Sequence, residues 1–145
     1  MVPPAEDEIK FNTDGAFKDQ HAGCGGVLRT DSGDIRALFS GPIQPFSADF
    51  AELVALRTAL EIFIEAGWLG RANLVVESDS QTVLNWVANK SLRPWRWWSV
   101  FEDIDILRSQ INQCTFVHVS RNLNQLADHL AKEGMHRPMI FKAWW

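Results

Sequence analysis

The stretch NLVVESDS, Asn73–Ser80, decides how the rest of the chain is read. Leu74, Val75 and Val76 are apolar in succession, which marks a strand buried on both faces and therefore a sheet with helices packed against it. Asp79 follows directly at the strand's carboxyl end, the edge at which open α/β sheets hold ligands. The alternative for Asp79 is an N-cap, because a helix is expected over Ser80–Asn89.

Upstream of this strand lie three more. Ile9–Asp14 alternates, with Ile9, Phe11 and Thr13 on one side and Lys10, Asn12 and Asp14 on the other; Asp14-Gly15 reads as its closing turn. Gly25–Thr30 and Ile35–Ser40 read as a hairpin joined by Asp31-Ser32-Gly33-Asp34. The string Gly23–Gly26, GCGG, reads as a tight turn opening that hairpin. From Ala48 to Ala66 the period changes to 3.6, with Ser47 as N-cap and Gly67 as stop. Downstream, Lys90–Trp95 is a loop, Trp98–Asn112 a helix, Thr115–Val119 a strand and Leu123–Glu133 a final helix. The apolar tail over residues 135–145 has no assignable period. Three strands followed by alternating helices and strands predict one α/β domain over residues 1–145, with its core over 8–134.

Composition agrees. The 145 residues are 46% hydrophobic and 22% charged, with 9 Gly and 6 Pro, which excludes collagenous, disordered and disulfide-scaffold classes. No apolar run reaches the roughly 20 residues that span a bilayer, and the acidic start MVPPAEDEIK has no leader character. An intracellular protein, nuclear or cytoplasmic and not membrane-bound, is expected, with Cys24 and Cys114 as free structural thiols. Net charge is −4, yet no acid falls between Asp79 and Glu102, where Lys90, Arg93 and Arg96 sit with Trp86, Trp95, Trp97 and Trp98. A basic, aromatic segment in an acidic protein is a footprint for nucleic acid. Core anchoring is the competing role, and two of Trp95, Trp97 and Trp98 are expected to serve it.

Four acids stand out. On the helix after Ser47, Arg57, Thr58, Glu61 and Glu65 form the expected water face, and Glu52 lies nearly opposite, on the apolar side. An unpaired carboxylate there needs a cation or metal, unless it serves the helix dipole from the first turn. Asp14 and Asp79 end strands, and Asp128 borders the apolar stripe of the last helix. Singly each is a turn, cap or surface acid. Together they offer the all-oxygen ligand set that hard divalent ions take. Two such ions about 4 Å apart activate a water and stabilise the leaving oxygen in phosphodiester cleavage. No zinc spacing, nucleotide-cradling loop or serine-hydrolase elbow competes.

FNTDGA (Phe11–Ala16), GCGGVLRTDSG (Gly23–Gly33), AELVAL (Ala51–Leu56), VESDSQTV (Val76–Val83) and SRNLNQLADHLA (Ser120–Ala131) resemble, in sequence and in order, the ribonuclease H family. They look most like the reverse-transcriptase-type domains of plant non-LTR retrotransposons or a domesticated relative. The resemblance implies a five-stranded mixed sheet, order 3-2-1-4-5, with helices on both faces. It places the metal-binding and catalytic acids on Asp14, Glu52, Asp79 and Asp128, with two Mg²⁺ ions that Mn²⁺ can replace. The implied activity is endonucleolytic hydrolysis of RNA in an RNA–DNA hybrid, leaving 5′-phosphate ends, with an upstream reverse transcriptase domain as a possible partner. Ser47 and Gln81 match the family's DNA-strand phosphate pocket, whose asparagine position is Ala48 here. Arg121 stands where many members carry a mobile histidine, so an electrostatic role at the phosphate is expected of it. Lys90, Arg93, Trp95 and Arg96 are expected to grip the hybrid. The alternative is a non-catalytic module of the same fold that binds nucleic acid or protein.

Overall fold

The computed structural model describes residues 8–145; the acidic stretch read above as no leader lies mostly outside them. Strands β1 (Glu8–Lys18), β2 (His21–Arg29) and β3 (Ile35–Ile43) form an antiparallel meander. Helix α1 (Ala48–Glu65) leads to β4 (Asn73–Ser78), parallel to β1. Helices α2 (Gln81–Ala88) and α3 (Trp98–Gln110) precede β5 (Cys114–His118), parallel to β4, and α4 (Gln125–Gly134) follows.

The sheet has six strands, not the expected five: Phe141–Trp144 adds β6 along β3, giving the order β5-β4-β1-β2-β3-β6. Arg137 Nε donates to Ser40 Oγ at 2.8 Å and Arg36 Nε to the Trp145 carbonyl at 3.1 Å, tying the tail down at both ends. Only Ala143 of β6 is half-buried, so this edge strand has no alternating pattern to betray it.

Two glycine readings are corrected. β1 does not end at Asp14-Gly15 but runs on to Lys18, and the chain reverses at Asp19 and Gln20, with φ of 52° and 64°. Gly15 is glycine because a β-carbon there would collide with the backbone of Ala51 and Glu52. GCGG is likewise no turn. It lies inside β2, where Gly23 and Gly25 leave room for the backbone of α4 at Leu130 and Ala131. Ser40 Oγ caps this seat by donating to the Leu130 carbonyl at 2.6 Å.

α4 packs over β1, β2 and β3; α1 packs on β1 and β2 and against α3. α1 is buried over most of its circumference, and of its expected water face only Glu65 is exposed. Thr58 is buried and donates to the Val54 carbonyl at 2.8 Å, Arg57 pairs with Asp103 of α3 at 3.2 Å, and Glu65 pairs with Lys142 of β6 at 3.5 Å. β4 alternates instead of burying both faces: Leu74 and Val76 are buried, Val75 and Glu77 half-buried. Only Trp97 of the three clustered tryptophans is core, packed on Phe50 and Trp86; Trp95 and Trp98 are 84% and 55% exposed, the reverse of the expected split. Cys24 and Cys114 are free, and burial pushes their thiols up to about 12 and about 11. Among the described residues no helix is long and apolar enough to cross a membrane.

Candidate active site

The structure removes the commonplace explanation for three of the four acids. Asp14 lies buried in mid-strand rather than in a turn. The first-turn acid of α1 is Asp49, which leaves Glu52 a turn further in, beyond the strongest part of the helix dipole. The cap of α2 is Ser80, whose hydroxyl accepts from Val83 N at 3.3 Å, so Asp79 is not spent on capping.

These three carboxylates converge. β1 and β4 run parallel side by side, so their carboxyl ends bring Asp14 and Asp79 together, and the glycine at position 15 lets α1 lower Glu52 onto them. Asp14, Glu52 and Asp79 each offer an oxygen, all within 4.8 Å of one another. The Gly15 N–H is shared between Asp14 Oδ1 at 2.9 Å and Glu52 Oε1 at 3.0 Å. Asp79 Oδ2 is buried and has no hydrogen-bond partner among the described residues; its nearest cation is Arg121, Nε at 3.8 Å.

Such a cluster resists ionisation. Burial, then the charge of Asp79, pushes Asp14 from 3.8 up to about 7. Burial and the adjacent Asp14 push Glu52 from 4.5 up to about 10. Asp128 behaves differently. Its half-burial raises its pKa, but Lys132 at 3.0 Å, with the neighbouring Asp14 and Arg121, outweighs that and holds it below the usual carboxylate range. It therefore stands beside the trio with a closer cation than Asp79 has in Arg121, 3.0 Å against 3.8 Å. Deprotonated together, the other three oxygens would need positive charge from outside the chain.

A buried asparagine clamp positions the neighbouring loop. Asn124 Nδ2 donates to the Thr13 carbonyl at 2.8 Å, and Asn12 Nδ2 donates to Asn124 Oδ1 at 3.2 Å and Glu77 Oε1 at 2.9 Å. This ties the 3-10 turn Arg121–Asn124 to β1 and sets where Arg121 and Asp128 stand. Sequence reasoning missed both asparagines; the only trace is Asn12, which shares the polar side of its strand with Asp14. It also missed Lys132. Arg121 and Lys132 line an open groove of about 610 Å³ with Glu52, Asp128, Lys18 and His136.

The expected substrate contacts divide. Trp95 and Lys90 stand out into solvent around a cleft of about 330 Å³ that also involves Trp98. Arg96 is exposed and lies over the Trp97 ring, its guanidinium carbon 4.9 Å from the centroid. Arg93 is corrected: it is only 11% exposed and its donors are taken. Its Nη1 and Nη2 hold Asp105 at 2.8 and 3.0 Å, Nε donates to the Trp86 carbonyl and Nη2 to that of Val87. It pins the loop to α2 and α3 and has little left for a phosphate. Ser47 Oγ accepts from Phe50 N at 3.0 Å as the cap of α1, and Gln81 is exposed, donating to Asn85 Oδ1 at 3.0 Å.

The comparisons with known proteins meet this geometry at the fold. RNase H1 from the halophilic archaeon Halobacterium salinarum is 25% identical, with 88% of this chain and 96% of that one covered and a TM-score of 0.75. LC11-RNase H1, isolated from compost by a metagenomic approach, is also 25% identical, over 89% of this chain and 96% of that one, with a TM-score of 0.80. The foamy viral protease-reverse transcriptase in complex with RNA/DNA hybrid is 21% identical, and the match takes in 94% of this chain and 21% of that one, with a TM-score of 0.77. The fold is ribonuclease H-like. No curated protein matches the chain. The reverse transcriptase-like family model matches residues 12–134, most of the chain and all four acids, and the chain belongs to that family.

Proposed function

We propose that this protein is a ribonuclease H, an endonuclease that hydrolyses the RNA strand of RNA–DNA hybrids with two divalent metal ions. The observation that carries the reading is the trio Asp14, Glu52 and Asp79, oxygens within 4.8 Å, at the carboxyl edge of the sheet with one buried oxygen unpartnered. The donor set is all carboxylate, which suits Mg²⁺, or Mn²⁺ in its place. Asp14, Glu52, Asp79 and Asp128 would hold the ions, which supply an activated water and charge neutralisation at the leaving oxygen. A solved relative, LC11-RNase H1, is bound to an RNA/DNA hybrid, which supports the substrate class.

The chain's own residues supply binding and orientation. Arg121, permanently charged and 83% exposed beside Asp79, holds the scissile phosphate and offsets the charge that develops there. Asn12 and Asn124 keep its loop in register. Lys90 and Arg96 contact phosphates away from the cleavage point, and Trp95 packs on sugar or base. Ser47 and Gln81 contribute to the DNA-strand phosphate pocket. Recognition rests on helix shape and RNA 2′-hydroxyls rather than base sequence. Intracellular action, beside a reverse transcriptase domain and in a plant retrotransposon or a gene derived from one, completes the reading. The test is a panel of equal-length duplexes, hybrid, double-stranded RNA and double-stranded DNA, incubated with purified protein and Mg²⁺. Cleavage of RNA in the hybrid alone is expected; binding of the hybrid with every strand intact would replace the enzyme by a non-catalytic binding module.

A further inference from the structure

Lys132 sits one helical turn beyond Asp128 and holds Oδ2 of that carboxylate at 3.0 Å. Oxygens of Asp14, Glu52 and Asp79 gather within 4.8 Å of one another, and Asp128, beside them, is the acid that carries this lysine. The Lys132 side chain is 63% exposed, so its ammonium is anchored by little besides that pair. It also borders two open grooves. One is lined also by Glu52 and Arg121; the other, which shares Arg121 and Asp128 with it, by Asn122, Gln125 and His129. A flexible cation between a carboxylate and a groove has two places to go.

We infer that Lys132 is a positioning residue that acts as a latch on Asp128, resting on the metal-site reading above. In the free protein it occupies the carboxylate that a divalent ion would otherwise use. When an ion claims Asp128, the ammonium swings into the groove and meets a phosphate of the bound nucleic acid. The latch thereby couples ion binding at the fourth acid to substrate binding: each event frees the partner that the other needs. An i,i+4 pair that only braced α4 would change helix stability and nothing else.

The experiment compares wild type, Lys132→Met, which keeps the stem and removes the charge, and Lys132→Arg. Mn²⁺ binding is titrated without nucleic acid, and hybrid binding is titrated in Ca²⁺. Removing a competing cation at 3.0 Å from the ligand should tighten the weaker Mn²⁺ step in Lys132→Met by about three- to tenfold. The same variant should bind hybrid about three- to tenfold more weakly, with a smaller salt slope. Lys132→Arg should restore hybrid affinity. Unchanged Mn²⁺ and hybrid affinities in Lys132→Met, with a lowered Tm alone, overturn the latch while leaving the metal site standing. Failure of wild type to bind Mn²⁺ at all removes the site reading and the latch with it.

Discussion

Replacing Asp14 by Asn should stabilise the metal-free protein while destroying its site. Burial first, then the charges of Asp79 and Asp128, moves the Asp14 pKa from 3.8 to about 7. A carboxyl whose folded-state pKa is raised favours folding below its unfolded pKa, and that advantage is lost as pH rises toward the folded value. At pH 8 the whole shift is a cost, roughly 4 kcal/mol at about 1.4 kcal/mol per pH unit. At pH 5 only the interval above 3.8 counts, roughly 1.5 kcal/mol. The amide introduced by Asp14→Asn has nearly the shape of the acid and can still accept from the Gly15 N–H, so little packing is lost. Sharing of protons with Glu52 spreads the charge, so a net gain of about 2–4 kcal/mol at pH 8 is expected. At roughly 3 °C per kcal/mol for a chain of this size, Tm in EDTA should rise by roughly 6–12 °C at pH 8. The rise should shrink to a few degrees at pH 5. Thermal melts by circular dichroism at the two pH values make the measurement. A variant no more stable than wild type at pH 8, or a gain independent of pH, would refute the claim that the cluster is built around cations it does not itself supply.

Other expectations follow from the surroundings of the cluster. Arg121→Ala should lower kcat on hybrid by about tenfold to a hundredfold, the loss of one charge-stabilising contact, and the wild-type pH profile should show no arm near 6.5 from this position; near-normal turnover, or loss of the pH dependence on mutating His118, would assign the role elsewhere. Arg93→Ala leaves Asp105 without its principal partner and should cost about 2–4 kcal/mol of stability by denaturant unfolding. Lys90→Ala with Arg96→Ala should instead leave stability nearly unchanged and reduce the salt slope of hybrid binding by about 2. The opposite pattern between these variants would show that Arg93 is the phosphate contact after all.

The four acids were legible because each breaks a local rule: Asp79 follows an apolar strand, Glu52 sits on an apolar helix side, and Asp14 ends an alternating run. Period and position suffice for that. What brings them together was not legible. Gly15, Gly23 and Gly25 read as turns because glycine permits turns and close backbone approach alike, and only the helix packed above tells which. Arg93 read as a free cation because its partner, Asp105, lies twelve residues on in another element. Trp95, Trp97 and Trp98 share a composition and a neighbourhood, yet only Trp97 faces Phe50 and Trp86. β6 was invisible because an edge strand with one half-buried residue carries no period. Asn124 sits in a loop, and its bonds run to β1, more than a hundred residues earlier. Local chemistry thus marked the ligands, and long-range contacts decided the scaffold.

The central claim, that these carboxylates form a divalent-metal hydrolytic centre, is tested most directly by one paired measurement. Wild type and Asp79→Asn are incubated with an end-labelled RNA–DNA hybrid, each in Mg²⁺ and in EDTA. Asp79 carries the buried, unpartnered oxygen, and the amide removes its charge at nearly constant shape. The account predicts RNA fragments with 5′-phosphate ends from wild type in Mg²⁺ alone, and none from folded Asp79→Asn under either condition. Cleavage by the variant at the wild-type rate, or cleavage by wild type in EDTA, would contradict it.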